Sequence, residues 1–66
     1  MLTYKHEPNA IIGHRKNSPN TTFHAYYVTS KASGWWQITI TEDGKKPLFI
    51  EVDTQEKVIP TIKNHL

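Results

Sequence analysis

Residues 34–41 show the most regular pattern in the chain: Gly34-Trp35-Trp36-Gln37-Ile38-Thr39-Ile40-Thr41. Successive side chains of a β-strand point to opposite faces of a sheet. The alternation therefore predicts a strand whose core face carries Trp36, Ile38 and Ile40. Its outer face would carry Trp35, Gln37, Thr39 and Thr41. An indole on the outer face of so small a protein indicates a binding surface, because exposed aromatic side chains commonly anchor partners.

Two more strands flank this one in the sequence. Residues 23–29 are rich in aromatic and β-branched side chains, and residues 47–52 alternate in the same way. The Asp43-Gly44 pair is typical of a hairpin turn between the second and third strands. On the third strand the core face would carry Leu48, Ile50 and Val52, and the outer face Phe49 and Glu51. Either Tyr26 or Tyr27 joins the outer face, depending on the register.

A short C-terminal helix is predicted after Asp53. Asp53 can cap the first amides, and Glu56 occupies the reciprocal position of a capping box. An apolar stripe would cover the core face of the sheet: Val58, Ile59, Ile62 and Leu66. Pro60 has no amide hydrogen, so we expect a kink, or a turn over residues 54–59 followed by a second turn from Pro60.

The first third of the chain has a different composition, with Pro8, Gly13, Pro19 and several Asn and Ser residues. It predicts an irregular N-terminal arm over residues 1–21, with one short strand around residues 10–12 as an option. The expected fold is thus α+β: a three-stranded antiparallel β-meander over residues 22–66, packed by one short C-terminal helix.

Composition narrows the function classes. The chain has 66 residues and no Cys, which excludes disulfides and thiolate metal sites and fits a reducing cytoplasm. The sequence has no apolar run long enough to predict a membrane span. The formal net charge is +2, and it arises in residues 1–21, which hold three cations and one anion; residues 22–66 hold five of each.

No pattern in the chain indicates catalysis. The four histidines match no metal-ligand spacing, and Glu42-Asp43 lies at a hairpin tip rather than in a cleft. No Ser-His-Asp spacing or Gly-rich phosphate loop is present. We therefore expect no catalytic, cofactor-binding or metal-binding residues, and predict a non-enzymatic binding module.

Two kinds of partner fit the outer face. A DNA partner would contact the face, with Arg15 and Lys16 on the phosphate backbone. Alternatively, the chain is a small protein-binding inhibitor or regulator, with Trp35 and Phe49 as the anchors of its protein partner. The candidate partner-binding residues for both hypotheses are Trp35, Gln37, Thr39, Phe49, Tyr26, Arg15, Lys16 and Lys46.

Two structural alternatives remain open at this point. The arm could lie across the outer face, with Ile11 and Ile12 covering Trp35, in which case Trp35 is a core residue. An open edge strand of the sheet could also pair two copies of the chain into a homodimer.

Residues 23–59 resemble a known family through three features: Trp36 before Ile38 and Ile40, Asp43-Gly44-Lys45, and Thr54 with Glu56. The pattern is similar to the N-terminal arm-DNA-binding domain of phage and transposon tyrosine integrases. The resemblance implies a three-stranded sheet that enters the DNA major groove, with contacts from residues such as Trp35, Gln37, Thr39 and Lys46. Pro60 departs from the family, which keeps its helix uninterrupted. Integrases also continue into a catalytic domain, so this unit would be an accessory or regulatory protein of a mobile element.

Overall fold

The computed structural model describes residues 2–30 and 32–66. Five strands form one antiparallel sheet in chain order: β1 (Leu2–Glu7), β2 (Ala10–Arg15), β3 (Ser18–Thr29), β4 (Gly34–Glu42) and β5 (Leu48–Val52). A single 3-10 turn, Gln55–Lys57, leads into the helix α1, Val58–His65. The antiparallel sheet and the C-terminal helix agree with the sequence, but the three-stranded meander is wrong.

The irregular N-terminal arm is the source of that error. Instead of an arm, β1 and β2 form a hairpin that extends the sheet beyond β3. Of the turn-forming residues that suggested irregularity, Gly13 lies within β2, and Ser18, Pro19 and Asn20 lie within β3. Pro8, Asn9 and Asn17 lie in turns between strands, and Asn17 has a φ of 67°. Asn tolerates this left-handed conformation better than most residues. Turns spaced this closely leave six-residue strands, whose periodicity is hard to detect.

The core lies between α1 and one face of the sheet. The predicted core face of β4 is confirmed, because Trp36, Ile38 and Ile40 are all buried. The remaining buried apolar residues are Ile11, Phe23, Ala25, Val58 and Ile62. Leu48 points to the same side but remains exposed. The opposite side of the sheet has no helix packed on it, and we call it the open face.

The start of the helix differs from the expected capping box. Thr54 occupies the position before the 3-10 turn, and its side chain makes no capping hydrogen bond. Asp53 instead forms an ion pair with Lys57, with 2.9 Å between Oδ1 and Nζ. The 3-10 turn gives way to the α-helix at Val58, so the change of helix type precedes Pro60. Pro60 lies in the first turn of α1, where a missing amide hydrogen breaks no intrahelical bond.

Across residues 2–30 and 32–66, no helix has the length and apolar character needed to cross a membrane.

Candidate functional site

The open face is organised in three rows that run across the sheet. Cross-strand partners face the same way, so each row follows from the register of the four strand pairs. The first row consists of Thr3, His14, Thr22 and Thr41. The second row consists of Lys5, Ile12, His24, Thr39 and Phe49. The third row consists of Glu7, Ala10, Tyr26, Gln37 and Glu51. Val28 and Trp35 form a further pair beside the third row.

Five of the eight predicted partner-binding residues lie on the open face: Trp35, Gln37, Thr39, Phe49 and Tyr26. The register brings Thr39 between His24 and Phe49, and it pairs Gln37 with Tyr26 on one side and with Glu51 on the other. It also resolves the choice between the adjacent tyrosines. Tyr26 faces outward, whereas Tyr27 faces the helix side and lies against Trp36, with 5.8 Å between ring centroids.

The three predicted cations are not gathered on the open face. Arg15 lines a groove on the helix side together with Lys63 and Leu66. Lys16 lies in the turn between β2 and β3, and Lys46 lies in the connection between β4 and β5. The structure therefore separates Arg15 from the aromatic residues with which the DNA hypothesis combined it.

Trp35 is only partly exposed. Its indole Nε1 is sealed from solvent and has no hydrogen-bond partner. Ile11 and Ile12 do not cover it as the alternative supposed: Ile11 is buried on the opposite face, and Ile12 is in β2, with β3 between it and β4. Trp35 is therefore less exposed on the open face than Phe49, Ile12 or Tyr26.

The exposed apolar surface of the open face lies elsewhere. Phe49 is 64% exposed, Ile12 50% and Tyr26 40%. Phe49 and Ile12 belong to the second row. Tyr26 lies beside His24 of that row, with 5.2 Å between the two ring centroids. These three residues come from three different strands, so only the assembled sheet presents them together.

A groove of about 630 Å³ follows the first and second rows. Its walls include Lys5, Ile12, His14, His24, Thr39 and Thr41, and Pro19 also contributes to its lining. Ile12, His14 and His24 were not recognised as site residues in the sequence. The alternation of buried Phe23 and Ala25 with His24 was the signal available for His24; Ile12 and His14 required knowledge that β2 exists.

The ionisable side chains that the open face contributes to the groove are all basic. Lys5, His14 and His24 line it, and no Asp or Glu side chain does so among the described residues. The Lys5 ammonium lies 3.6 Å from the Glu7 carboxylate, and both groups are well exposed. His14 is oriented by a hydrogen bond from its Nδ1 to the Arg15 carbonyl, at 3.1 Å. With Nδ1–H as the donor, Nε2 is left as an acceptor.

Within residues 2–30 and 32–66, no group of three or more His, Asp or Glu side chains is arranged to hold a metal ion. No known protein family, curated protein or solved structure matches the chain.

Proposed function

We propose that this protein is a non-enzymatic binding module that docks a polypeptide partner on its open face. The observation that carries the proposal is the exposed apolar set of Ile12, Tyr26 and Phe49 on one uncovered side of the sheet. Single exposed apolar residues are common, but several on one face are typical of an interaction site. Aromatic side chains such as Phe49 and Tyr26 supply a large contact area at a small cost in conformational entropy.

The charges of the open face favour a polypeptide over duplex DNA. Duplex binding draws on several cations that replace counterions along the phosphate backbone. Among the residues of the three rows, Lys5 is the only Lys or Arg, and the third row carries carboxylates at both ends, Glu7 and Glu51. Arg15 lines the helix side. The DNA-binding function implied by the integrase resemblance is thus the less supported candidate.

Two adjacent residues of β5 provide a test with an internal control. Phe49 faces outward and Leu48 faces the helix side, and both are exposed, at 64% and 42%. Purified wild-type, Phe49→Ala and Leu48→Ala proteins would serve as baits for nuclease-treated extract of the source cell. We expect a protein that is retained by the wild type and by Leu48→Ala but lost from Phe49→Ala. Reconstitution with the purified partner should reproduce a loss of about tenfold or more in affinity for Phe49→Ala.

Two results would contradict the proposal. One is equal retention of every partner by Phe49→Ala and wild type, which would place binding elsewhere on the molecule. The other is binding to duplex DNA whose affinity falls by orders of magnitude between about 50 and 200 mM salt, the signature of several phosphate contacts. That outcome would restore the DNA-binding hypothesis.

A further inference from the structure

We infer that the groove of the open face accepts an extended peptide segment that carries an acidic side chain a few residues from an apolar one. This inference rests on the proposed function and specifies the chemistry of its partner. It follows from the distribution of charge, apolar surface and hydroxyl groups along the second row of the face.

The groove is complementary in charge to an acidic side chain. Lys5, His14 and His24 are the charged or titratable side chains that the groove draws from the open face, and they belong to three adjacent strands. A carboxylate placed among them can accept hydrogen bonds from the Lys5 ammonium and from an N–H of the His24 imidazole. A basic segment would meet the Lys5 ammonium there; the Glu7 carboxylate, 3.6 Å from that ammonium, is exposed beside the groove and is not part of its described lining.

The apolar and hydroxyl groups define the rest of the segment. Ile12 forms an apolar part of the groove beside Lys5, and Phe49 offers an exposed ring at the other end of the same row. Between them, Thr39 lines the groove with a hydroxyl group, and Thr41 in the first row adds another. A hydroxyl both donates and accepts hydrogen bonds, so it can satisfy the amide and carbonyl groups of a passing peptide backbone.

Strand spacing sets the distance between the acidic and apolar positions. Neighbouring strands lie about 4.8 Å apart, and an extended chain advances about 3.3 Å per residue. His24 on β3 and Phe49 on β5 are two strands apart, and Lys5 on β1 is four strands from Phe49. A peptide that follows the second row should therefore place its acidic side chain about three to six residues from the side chain that contacts Phe49.

A displayed library of random peptides, selected on the immobilised full chain, tests this inference. The expected result is enrichment of Asp or Glu about three to six positions from an aromatic or aliphatic residue. One selected peptide would then be synthesised with its acid intact and with Glu→Gln or Asp→Asn at that position. Exposed ion pairs contribute modestly, so we expect the neutral peptide to bind about two- to fivefold more weakly.

Variants of the protein test the same contacts by changing the side chains of the groove instead of those of the peptide. Lys5→Gln and His24→Gln alter exposed side chains of the groove. Each should lower the affinity for the acidic peptide by a similar factor. Lys57→Gln removes an exposed cation whose ion pair is with Asp53, outside the groove, and it should leave binding unchanged. Lys5→Gln should not change the affinity for the neutral peptide, because that peptide has no carboxylate to pair with Lys5.

The outcomes separate this inference from the proposed function. Selected peptides without acidic residues, or with basic ones, would overturn the inference while leaving a polypeptide-binding face intact. The same holds if no peptide is selected but proteins are still captured through Phe49, since the partner would then be recognised as a folded surface. If neither peptides nor Phe49-dependent proteins bind, both proposals are wrong.

Discussion

At the scale of single residues, Gly13 shows how tightly β1 and β2 are joined to the core. Gly13 pairs with Tyr4 on one side and with Phe23 on the other. The two rings approach each other over it, with centroids 6.5 Å apart. A Cβ atom at this position would lie 2.6 Å from Tyr4 Cβ and 2.7 Å from Phe23 Cζ, and it would also meet the Thr3 carbonyl oxygen. The site therefore excludes any side chain for steric reasons.

We predict that Gly13→Ala lowers the free energy of unfolding by about 1–3 kcal/mol, the usual cost of overpacking. Gly34→Ala is the matched control. Its new methyl group would meet the end of the Tyr27 ring, but that ring is 42% exposed and can swing away. Urea denaturation of both variants provides the measurement. Equal stability of Gly13→Ala and wild type would contradict the close packing of β1 on β2.

At the scale of elements, an exposed ion pair between Asp53 and Lys57 lies at the start of the helix. The Asp53 carboxylate accepts a hydrogen bond from Lys57, and this bond together with the Lys57 charge lowers the pKa of Asp53 below its usual value. The pair links the end of β5 to the 3-10 turn that precedes α1. Since both side chains are well exposed, their contribution to stability is modest and sensitive to salt.

The pH dependence of this contribution has a definite sign. A carboxyl group whose pKa is lower in the folded state stabilises the protein fully above its unfolded pKa of about 3.9, and the effect is lost as pH falls through the folded pKa. We predict that Asp53→Asn is less stable than wild type near neutral pH and that the difference disappears in acid. Urea unfolding at a series of pH values, at low and high salt, measures it.

Asp43→Asn is the control for this experiment. Asp43 lies in the turn after β4 and forms no ion pair in the described part of the chain. The interpretation fails if Asp53→Asn and wild type differ by the same amount at every pH, because the lost stability would then come from packing rather than from the carboxylate charge.

At the scale of the whole molecule, the two adjacent isoleucines of β2 test whether the N-terminal residues belong to the sheet. Ile11 is 3% exposed and packs in the core, whereas Ile12 is 50% exposed on the open face. An irregular arm would tolerate a charge at either position. A strand that is paired on both sides, as β2 is with β1 and β3, tolerates a charge only where the side chain faces solvent.

We predict that Ile11→Asp unfolds the protein or destabilises it by about 3 kcal/mol or more, because a buried charge has no partner there. Ile12→Asp should fold normally, since its side chain projects from the open face. Circular dichroism and urea unfolding distinguish the two variants. If both fold equally well, β2 is not part of the sheet and the open face loses the Lys5, Ile12 and His14 side of its groove.

Much of the fold follows from local pattern. The alternation of residues 34–41 assigned Trp36, Ile38 and Ile40 to the core, because strand geometry alone separates odd from even positions. The apolar stripe after Asp53 likewise placed Val58 and Ile62 against the sheet, and both are buried. These predictions hold because each segment has enough apolar residues on one face to show its own period.

The remaining features were decided by tertiary structure. Pairing with β3 makes strands of residues 2–7 and 10–15, whose turn-forming neighbours and mixed composition indicate an irregular segment when taken alone. That pairing buries Ile11, exposes Ile12 and directs Arg15 to the helix side. The groove of the open face combines residues from four strands, so no local stretch of sequence contains it. The alternation of residues 34–41 identified the core side of β4. Only the assembled sheet shows that Trp35 is partly covered and that Phe49, Ile12 and Tyr26 are the exposed large apolar residues of the open face, because exposure depends on the neighbours that each strand acquires.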